Sequence, residues 1–386
     1  MSFDLEIVTS LKPLSKHLEE FFSLLEGFNV TGALTGDANV LITRKNQKDS
    51  FCFTVDGPFQ VEIEDLDERV IASVLNPVWL TQISIPAGAS KADLKLAKQL
   101  AQSLADNCRG AVYDPQLDKV VWPRKSYRRF VAPVQEERIR LIGLDWYLPP
   151  DQSSVETAKL LLRTLRKACP EAAPRRFGTF EPLQHRLGSD DESFLSVWNE
   201  VSRVEYGDML FWKSQSPCYG GDIVFPNRKH DPPPGAKLRI HLSLSFDGRA
   251  LLAMPAWSET VVKLFVEVAR QMRAFYGLGY VQRNVIARRS IGFDGRSEPS
   301  PTLPGQWWLG LPAKPTWLAW FGGGYARALA ASLRDVASAQ MPEGILLRHG
   351  DAPRDVDELT GLFPLLPPAL FAEKDGDQYR PAEFIP

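Results

Sequence analysis

The stretch "PTWLAWFGGGYARAL", residues 315–329, joins an apolar run to three consecutive glycines and an alanine-rich segment. A phosphate-cradling P-loop needs GxxxxGK[ST], and no lysine, serine or threonine follows these glycines. A dinucleotide fingerprint needs a small third residue where Arg327 stands. We therefore predict a hydrophobic strand that turns into a helix, with glycines that allow close packing and with no nucleotide cofactor. An anion at the helix N-terminus remains the alternative.

Composition is that of an ordinary globular protein with room for two domains. The chain has 386 residues, 44% hydrophobic and 24% charged, with a net charge of -2. This balance gives no sign of direct nucleic-acid binding. The acidic start and the lack of an apolar run of roughly 18 residues predict neither a secretory signal nor a membrane span. The four cysteines are scattered without a CxxC motif, which indicates reduced thiols and a cytoplasmic protein.

Periodicity in the first third of the chain predicts strands around two amphipathic helices. "FDLEIVT", residues 3–9, and "FQVEIE", residues 59–64, are strand-like. A capping box at Ser90 and Asp93 predicts the start of the second helix. The stripe of the first helix repeats at helical spacing and consists of Leu14, Leu18, Phe21, Phe22 and Leu25.

A similar order recurs after "PRKSYRRFVAPVQEE", residues 123–137, a charged segment with two prolines. Apolar and polar residues alternate in "KLRIHLSLSF", residues 237–246, which predicts a half-buried strand. Ser154 and Ser258 are each predicted to cap a helix. The fold class that follows is α+β, with mainly antiparallel sheets flanked by helices, in two domains of related strand–helix–strand order. We place the domains at residues 1–130 and 138–386.

Catalytic and metal-binding patterns are weak. Cys218, His230 and His241 are separated by eleven and ten intervening residues, whereas zinc sites pair two ligands closely, so we expect no metal. Cys218 stands beside a Gly-Gly pair, and a thiolate nucleophile needs a nearby base. His185, His230 or His241 could supply that base in space. A Cys218-dependent hydrolase, or an enzyme that reverses a toxin's modification, is therefore the alternative function.

Carboxylates are concentrated in two stretches. The tighter cluster, from Glu62 to Glu68, lies in the first domain. In the second stretch, Phe194, Leu195, Trp198 and Val201 share a helix face, which directs Glu200 outward. This stretch is either a solvated surface or a docking face that steers a basic partner. Its acids, opposed only by Arg203, are Asp190, Asp191, Glu192, Glu200, Glu205 and Asp208.

From about Arg138 onward the chain resembles the immunity protein 52 family of bacterial toxin-neutralising proteins. The resemblance is spread over "GLDWYLPP" (143–150), "RRFGTFEPLQHRL" (175–187), "LFWKSQSPCYGGDIVFP" (210–226) and "WLAWFGGGYARAL" (317–329). The first ~135 residues lie outside it. The residues that match family positions, mainly structural ones, are Phe177, Glu181, Pro182, Trp212, Trp320, Gly322 and Tyr325.

The resemblance implies an immunity protein that binds a cognate antibacterial toxin, often a type VI secretion effector with a restriction-endonuclease-like nuclease fold. Such a protein works in the cytoplasm of the producing cell, by binding and not by catalysis. It carries no catalytic residues over to this chain and implies no cofactor. The six acids from Asp190 to Asp208 are then the candidate partner-binding residues.

Overall fold

The computed structural model describes residues 3–25, 27–36, 39–45, 51–123, 137–181, 183–287, 291–303, 305–359, 366–375 and 378–385. The chain divides into two compact units, Met1–Gln135 and Glu136–Pro386. Residues 124–136, most of the predicted linker, lie outside the described residues, so the predicted domain boundary stays a prediction.

The first unit is an antiparallel sheet with helices packed against it. Its strands follow the spatial order β2-β3-β4-β5-β1-β6-β7. Leu5, Ile7 and Ile83 lie in the core between this sheet and the helices. The elements are β1 (Phe3–Thr9), α1 (Ser15–Ser23), β2 (Phe28–Thr31), β3 (Val40–Arg44), β4 (Phe51–Gln60), α2 (Glu68–Ser73), β5 (Trp79–Ile85), α3 (Lys91–Asn107), β6 (Gly110–Asp114) and β7 (Lys119–Trp122).

A side-chain cap fixes the start of helix α3 in this unit. Ser90 and Asp93 form the predicted capping box of α3, with the Ser90 hydroxyl accepting from the Asp93 backbone N–H at 3.1 Å.

The predicted strand at residues 59–64 is wrong beyond Gln60, because Ile63–Asp65 form a 3-10 turn. The Asp65 carboxylate accepts from the Glu62 backbone N–H at 3.2 Å, and such local bonds compete with a sheet ladder.

The second unit is built on a larger antiparallel sheet in the order β10-β9-β11-β12-β14-β8-β15-β18-β20-β19, with β16 paired to β15. The strands of the second unit are β8 (Glu137–Leu148), β9 (Arg176–Gly178), β10 (His185–Arg186), β11 (Met209–Lys213), β12 (Cys218–Val224), β13 (Lys237–Leu238), β14 (Ile240–Asp247), β15 (Tyr276–Ala287), β16 (Ile291–Gly292), β17 (Trp307–Trp308), β18 (Leu318–Gly322), β19 (Ala339–Met341), β20 (Gly344–Arg348), β21 (Glu373–Asp375) and β22 (Gln378–Arg380). Two of these pairs, β13 with β17 and β21 with β22, form separate two-stranded sheets.

Most of the helices cover one face of this sheet and bury an aromatic and aliphatic core, whereas the helix at Gly323–Leu329 packs on the other face through Tyr325 and Leu329. Trp146 and Leu244 project from the central strands into that core, beside Leu161 and Phe265 of the helices. The observed α+β architecture confirms the predicted fold class. The helices are α4 (Val155–Ala168), α5 (Glu192–Val201), α6 (Gly248–Ala253), α7 (Pro255–Gln271), α8 (Gly323–Leu329) and α9 (Val356–Leu359).

Ser154 caps α4 as predicted, because its hydroxyl accepts from the Thr157 backbone N–H at 3.2 Å. The predicted cap at Ser258 is wrong. Helix α7 begins at Pro255, three residues before Ser258. A proline suits the first position of a helix, because the N–H that it lacks would have no partner there and its φ is already helical. Ser258 is buried inside the helix, and its hydroxyl donates to the Leu251 carbonyl at 3.4 Å.

The glycine stretch forms the predicted strand and helix, β18 and α8. A Cβ on Gly322 would lie 2.1 Å from the Ala274 carbonyl oxygen, and Gly323 has a φ of +52°. The first glycine therefore allows close backbone approach, and the second supplies a left-handed turn. Trp317, Trp320 and Tyr325 are fully buried around it. The arrangement serves packing, as predicted from the missing P-loop residues.

Candidate functional site

Helix α5 presents an acidic surface beside the core of the second unit. Phe194, Trp198 and Val201 are buried, so the remaining faces of the helix carry its charges. Glu192 and Glu200 are exposed, as is Glu205 in the turn that follows. The apolar spacing thus places Glu200 outward, as the sequence predicts.

The six predicted acids differ in what they do. Asp191 is bound by Arg166 of α4, with Nη2–Oδ1 at 2.5 Å and Nη1–Oδ2 at 2.9 Å. This hydrogen bond lowers the pKa of Asp191. Asp190 accepts from the Glu192 backbone N–H at 3.2 Å, and Asp208 accepts from the Met209 backbone N–H at 2.7 Å. These three carboxylates are therefore engaged in shaping the fold.

Glu192, Glu200 and Glu205 are exposed to solvent, and Asp190 is exposed as well. No ion pair involving their carboxylates is present among the described residues. Positive charge follows near Glu205, because the Glu205 backbone carbonyl accepts from the backbone N–H groups of Arg228 and Lys229 and so brings these two cationic residues close. A basic partner would therefore meet negative charge chiefly along α5 and its C-terminal turn.

The rival acidic cluster in the first unit is more strongly committed to local structure. Asp67 caps α2 and pairs with Arg69, whose Nε lies 2.8 Å from Asp67 Oδ1. Arg69 also binds Asp118 at 2.5 Å. Because Arg69 pairs with Asp67, the net negative charge of this cluster is smaller than its acidic residues alone indicate.

Cys218 is poorly suited to nucleophilic catalysis. The residue is 1% exposed, and its Sγ lies 3.7 Å from the Gly220 carbonyl oxygen. Burial raises the pKa of this thiol well above its ordinary value. A nucleophilic cysteine needs the opposite shift and an accessible sulfur. The described residues also contain no group of three or more His, Cys, Asp and Glu side chains that could hold a metal ion.

The sheet face opposite α4, α5 and α7 holds a polar row that the sequence analysis missed. Asp222 of β12 lies opposite Ser243 of β14, and Ser243 lies opposite Asp145 of β8. Ser243 donates a short hydrogen bond to Asp222. Asp145 Oδ1 lies 2.5 Å from His241 Nε2. We call Asp145, Asp222, His241 and Ser243 the polar row.

Aromatic rings border the polar row. Tyr147 stacks on His241 with centroids 5.0 Å apart. The Tyr280 ring crosses Gly143, where a Cβ would lie 2.3 Å from the ring carbon Cζ, and the Tyr280 hydroxyl accepts from Ser300 at 3.1 Å. An aspartate within the apolar stretch "LIGLDWYL", residues 141–148, was the sequence signal for this site, because buried carboxylates need specific partners.

Most of the residues on which the resemblance rests are buried. Phe177, Trp212, Trp320 and Tyr325 are buried in the second unit. Glu181 is exposed, with its carboxylate 4.0 Å from Lys213 Nζ. Pro182 lies outside the described residues.

No protein family and no curated protein matches this chain. Among solved structures, the chain is similar to "Pseudomonas aeruginosa T6SS protein PA0821", with 15% identity and a TM-score of 0.34. The similarity covers 56% of this chain and 70% of that chain. Along the described ranges, no helix combines the length and apolar character needed to cross a membrane.

Proposed function

We propose that this chain is an immunity protein, which binds and neutralises a cognate antibacterial toxin in the cytoplasm of the producing cell. The observation that carries the proposal is the exposed acidic surface of Glu192, Glu200 and Glu205 beside a buried core. The distributed residues that resemble the immunity protein 52 family add to it. The toxin is a nuclease effector of type VI secretion, with a restriction-endonuclease-like fold.

The chemistry of a nuclease explains why an acidic surface suits its inhibitor. A nuclease holds the phosphate backbone with lysine and arginine side chains. Carboxylates on an inhibitor can meet the same cations, which accelerates association and selects a basic partner. Because this role needs only a surface, we propose inhibition by stoichiometric binding and not by catalysis.

Co-expression with the toxin encoded beside this gene tests the proposal. We expect this chain to restore growth, to form a one-to-one complex and to stop nucleic-acid cleavage at an equimolar ratio. The Cys218→Ala variant should inhibit equally well. Inhibition at strongly substoichiometric amounts that is lost in Cys218→Ala would instead establish the enzymatic alternative. Absence of any complex or rescue would refute the immunity role.

A further inference from the structure

The sheet face opposite α4, α5 and α7 carries apolar side chains on β11, where polar ones are usual. Leu210 and Trp212 of β11 are buried in the core with the helices. The residues that alternate with them, Met209 and Phe211, therefore point to the opposite face. A sheet face that meets water is normally polar. Met209 is nevertheless 41% exposed, and Phe211 is half-buried.

The neighbouring strand extends this apolar surface. Val224 of β12 lies directly opposite Met209. It is half-buried and shares the face of Met209, because the adjacent Ile223 points into the core. Opposite residues on neighbouring strands have Cβ atoms about 4.5–5.5 Å apart, and Phe211 is two residues from Met209 on the same strand. We call Met209, Phe211 and Val224 the apolar patch.

Acidic residues lie at the Met209 end of the apolar patch. Glu205 and Asp208 belong to the turn that joins α5 to β11, and Asp208 immediately precedes Met209. The Phe225 backbone N–H donates to the Asp208 carbonyl at 2.8 Å, which ties this turn to the end of β12 beside Val224. The acidic surface of α5 and its following turn therefore continues directly into the apolar patch.

The acids of this turn are not neutralised by an ion pair. In the part of the chain that the structure describes, no cation pairs with Glu205 or Asp208. Lys229, which comes near this turn, has its ammonium 4.2 Å from the centre of the Tyr206 ring. Both carboxylates can therefore meet a cationic partner at the edge of the apolar patch.

A second exposed apolar stretch differs in its charged neighbours. Residues 252–256, at the junction of α6 and α7, are all exposed, and Met254 is 50% exposed. The acid that follows them, Glu259, pairs with Arg348 at 2.5 Å. Paired charges give a cationic partner little preference for that stretch, so the apolar patch is the better match for a basic protein.

We infer that the apolar patch is the surface that holds the toxin, and that the toxin meets it with an apolar side chain flanked by lysine or arginine. The partner's identity rests on the proposed function. Exposed charges mainly change the association rate, whereas desolvated residues at the centre of an interface carry most of the binding energy. Methionine and phenylalanine are enriched at such centres, and charged residues are typical of the rim. The apolar patch then sets the dissociation rate, and the acidic surface sets the association rate.

Binding kinetics of Met209→Ser with the toxin encoded beside this gene test the inference. We expect a dissociation rate at least about tenfold higher than that of the wild type, with an association rate within about twofold. The change should persist at 1 M salt, where exposed charges are screened within about 3 Å. An effect confined to the association rate, or one that disappears at 1 M salt, would overturn the inference.

Met254→Ser is the matched control, because it removes the same kind of side chain at similar exposure from the second apolar stretch. Its dissociation rate should equal that of the wild type. Equal acceleration in both variants, or in neither, would also overturn the inference.

Val224→Thr keeps the test decisive if Met209→Ser does not fold. Threonine retains the β-branched shape that suits a strand and adds a hydroxyl to the surface. We expect several-fold faster dissociation, and an unchanged rate in the folded variant would overturn the inference. A wild-type chain that forms no toxin complex would refute the proposed function and this partner with it. A complex that tolerates both Met209→Ser and Val224→Thr would refute the apolar patch alone.

Discussion

Arg166 of α4 holds both carboxylate oxygens of Asp191, which precedes the first residue of α5. This pair fastens the acidic helix to its neighbour and removes Asp191 from the surface available to a partner. Both side chains keep contact with solvent, 42% exposed for Arg166 and 28% for Asp191. Solvent therefore screens the pair, and its contribution to stability is modest.

Removing the Asp191 charge should lower the free energy of unfolding by about 0.5–1 kcal/mol at pH 7. Because the pKa of Asp191 is lowered in the folded protein, the stabilisation is complete above the ordinary value near 4 and is lost as pH falls through the lowered value. Urea titrations of Asp191→Asn at pH 7 and pH 2 measure the difference, which should shrink at pH 2.

Asp190→Asn is the matched control. Asp190 accepts from the Glu192 backbone N–H, and an asparagine oxygen can accept the same bond. Its unfolding free energy should change little at either pH. An equal loss in both variants would show that the Arg166 pair is not the cause.

Charge reversal on α5 and its following turn should slow toxin association. We expect Glu200→Lys with Glu205→Lys to reduce the association rate several-fold at low salt, because exposed charges act mainly on encounter. The reduction should fade at 1 M salt, where the Debye length is about 3 Å. Stopped-flow or surface-binding kinetics at the two salt concentrations measure it.

Glu19→Lys with Glu20→Lys makes the same change in net charge on α1 of the first unit, where both residues are exposed. This control should associate nearly as fast as the wild type. If both double variants slow association equally, the effect is one of net charge and the docking surface lies elsewhere.

The two glycines before α8 should differ in their tolerance of alanine. Gly322→Ala brings a Cβ against the Ala274 backbone, which cannot move as a side chain can, and should cost about 3 kcal/mol or more. Gly323→Ala meets no atom within 4 Å but keeps a φ of +52°, which costs about 1–2 kcal/mol. Urea unfolding of both variants decides the order, and the reverse order would contradict the packing role.

Protease should cut first between residues 123 and 137. The two compact units meet in sequence at Gln135 and Glu136, and the segment carries two prolines among mixed charges. Brief trypsin digestion followed by mass spectrometry should yield fragments that match the two units. Resistance here, with early cutting inside residues 237–286, would argue against the predicted domain boundary.

Local patterns determined much of the secondary structure. The alternation in residues 237–246 identified β14 from Ile240 onward, although Lys237–Leu238 form the separate strand β13. The apolar spacing at Phe194 and Trp198 oriented α5. The Ser90 capping box marked the start of α3. Each depends on residues a few positions apart, because strand pleat, helical turn and capping bonds repeat over that distance. The same local reasoning failed at Ser258, where a proline began the helix earlier.

Tertiary structure alone decided which charges meet. His241 and Asp145 are 96 residues apart in sequence, and Arg166 and Asp191 are 25 apart. The pleat placed His241 on the polar side of β14, but only the pairing register with β8 set Asp145 beside it. A one-residue slip would turn Asp145 toward the helices. Register depends on how the whole sheet packs, so no short stretch of this sequence contains it.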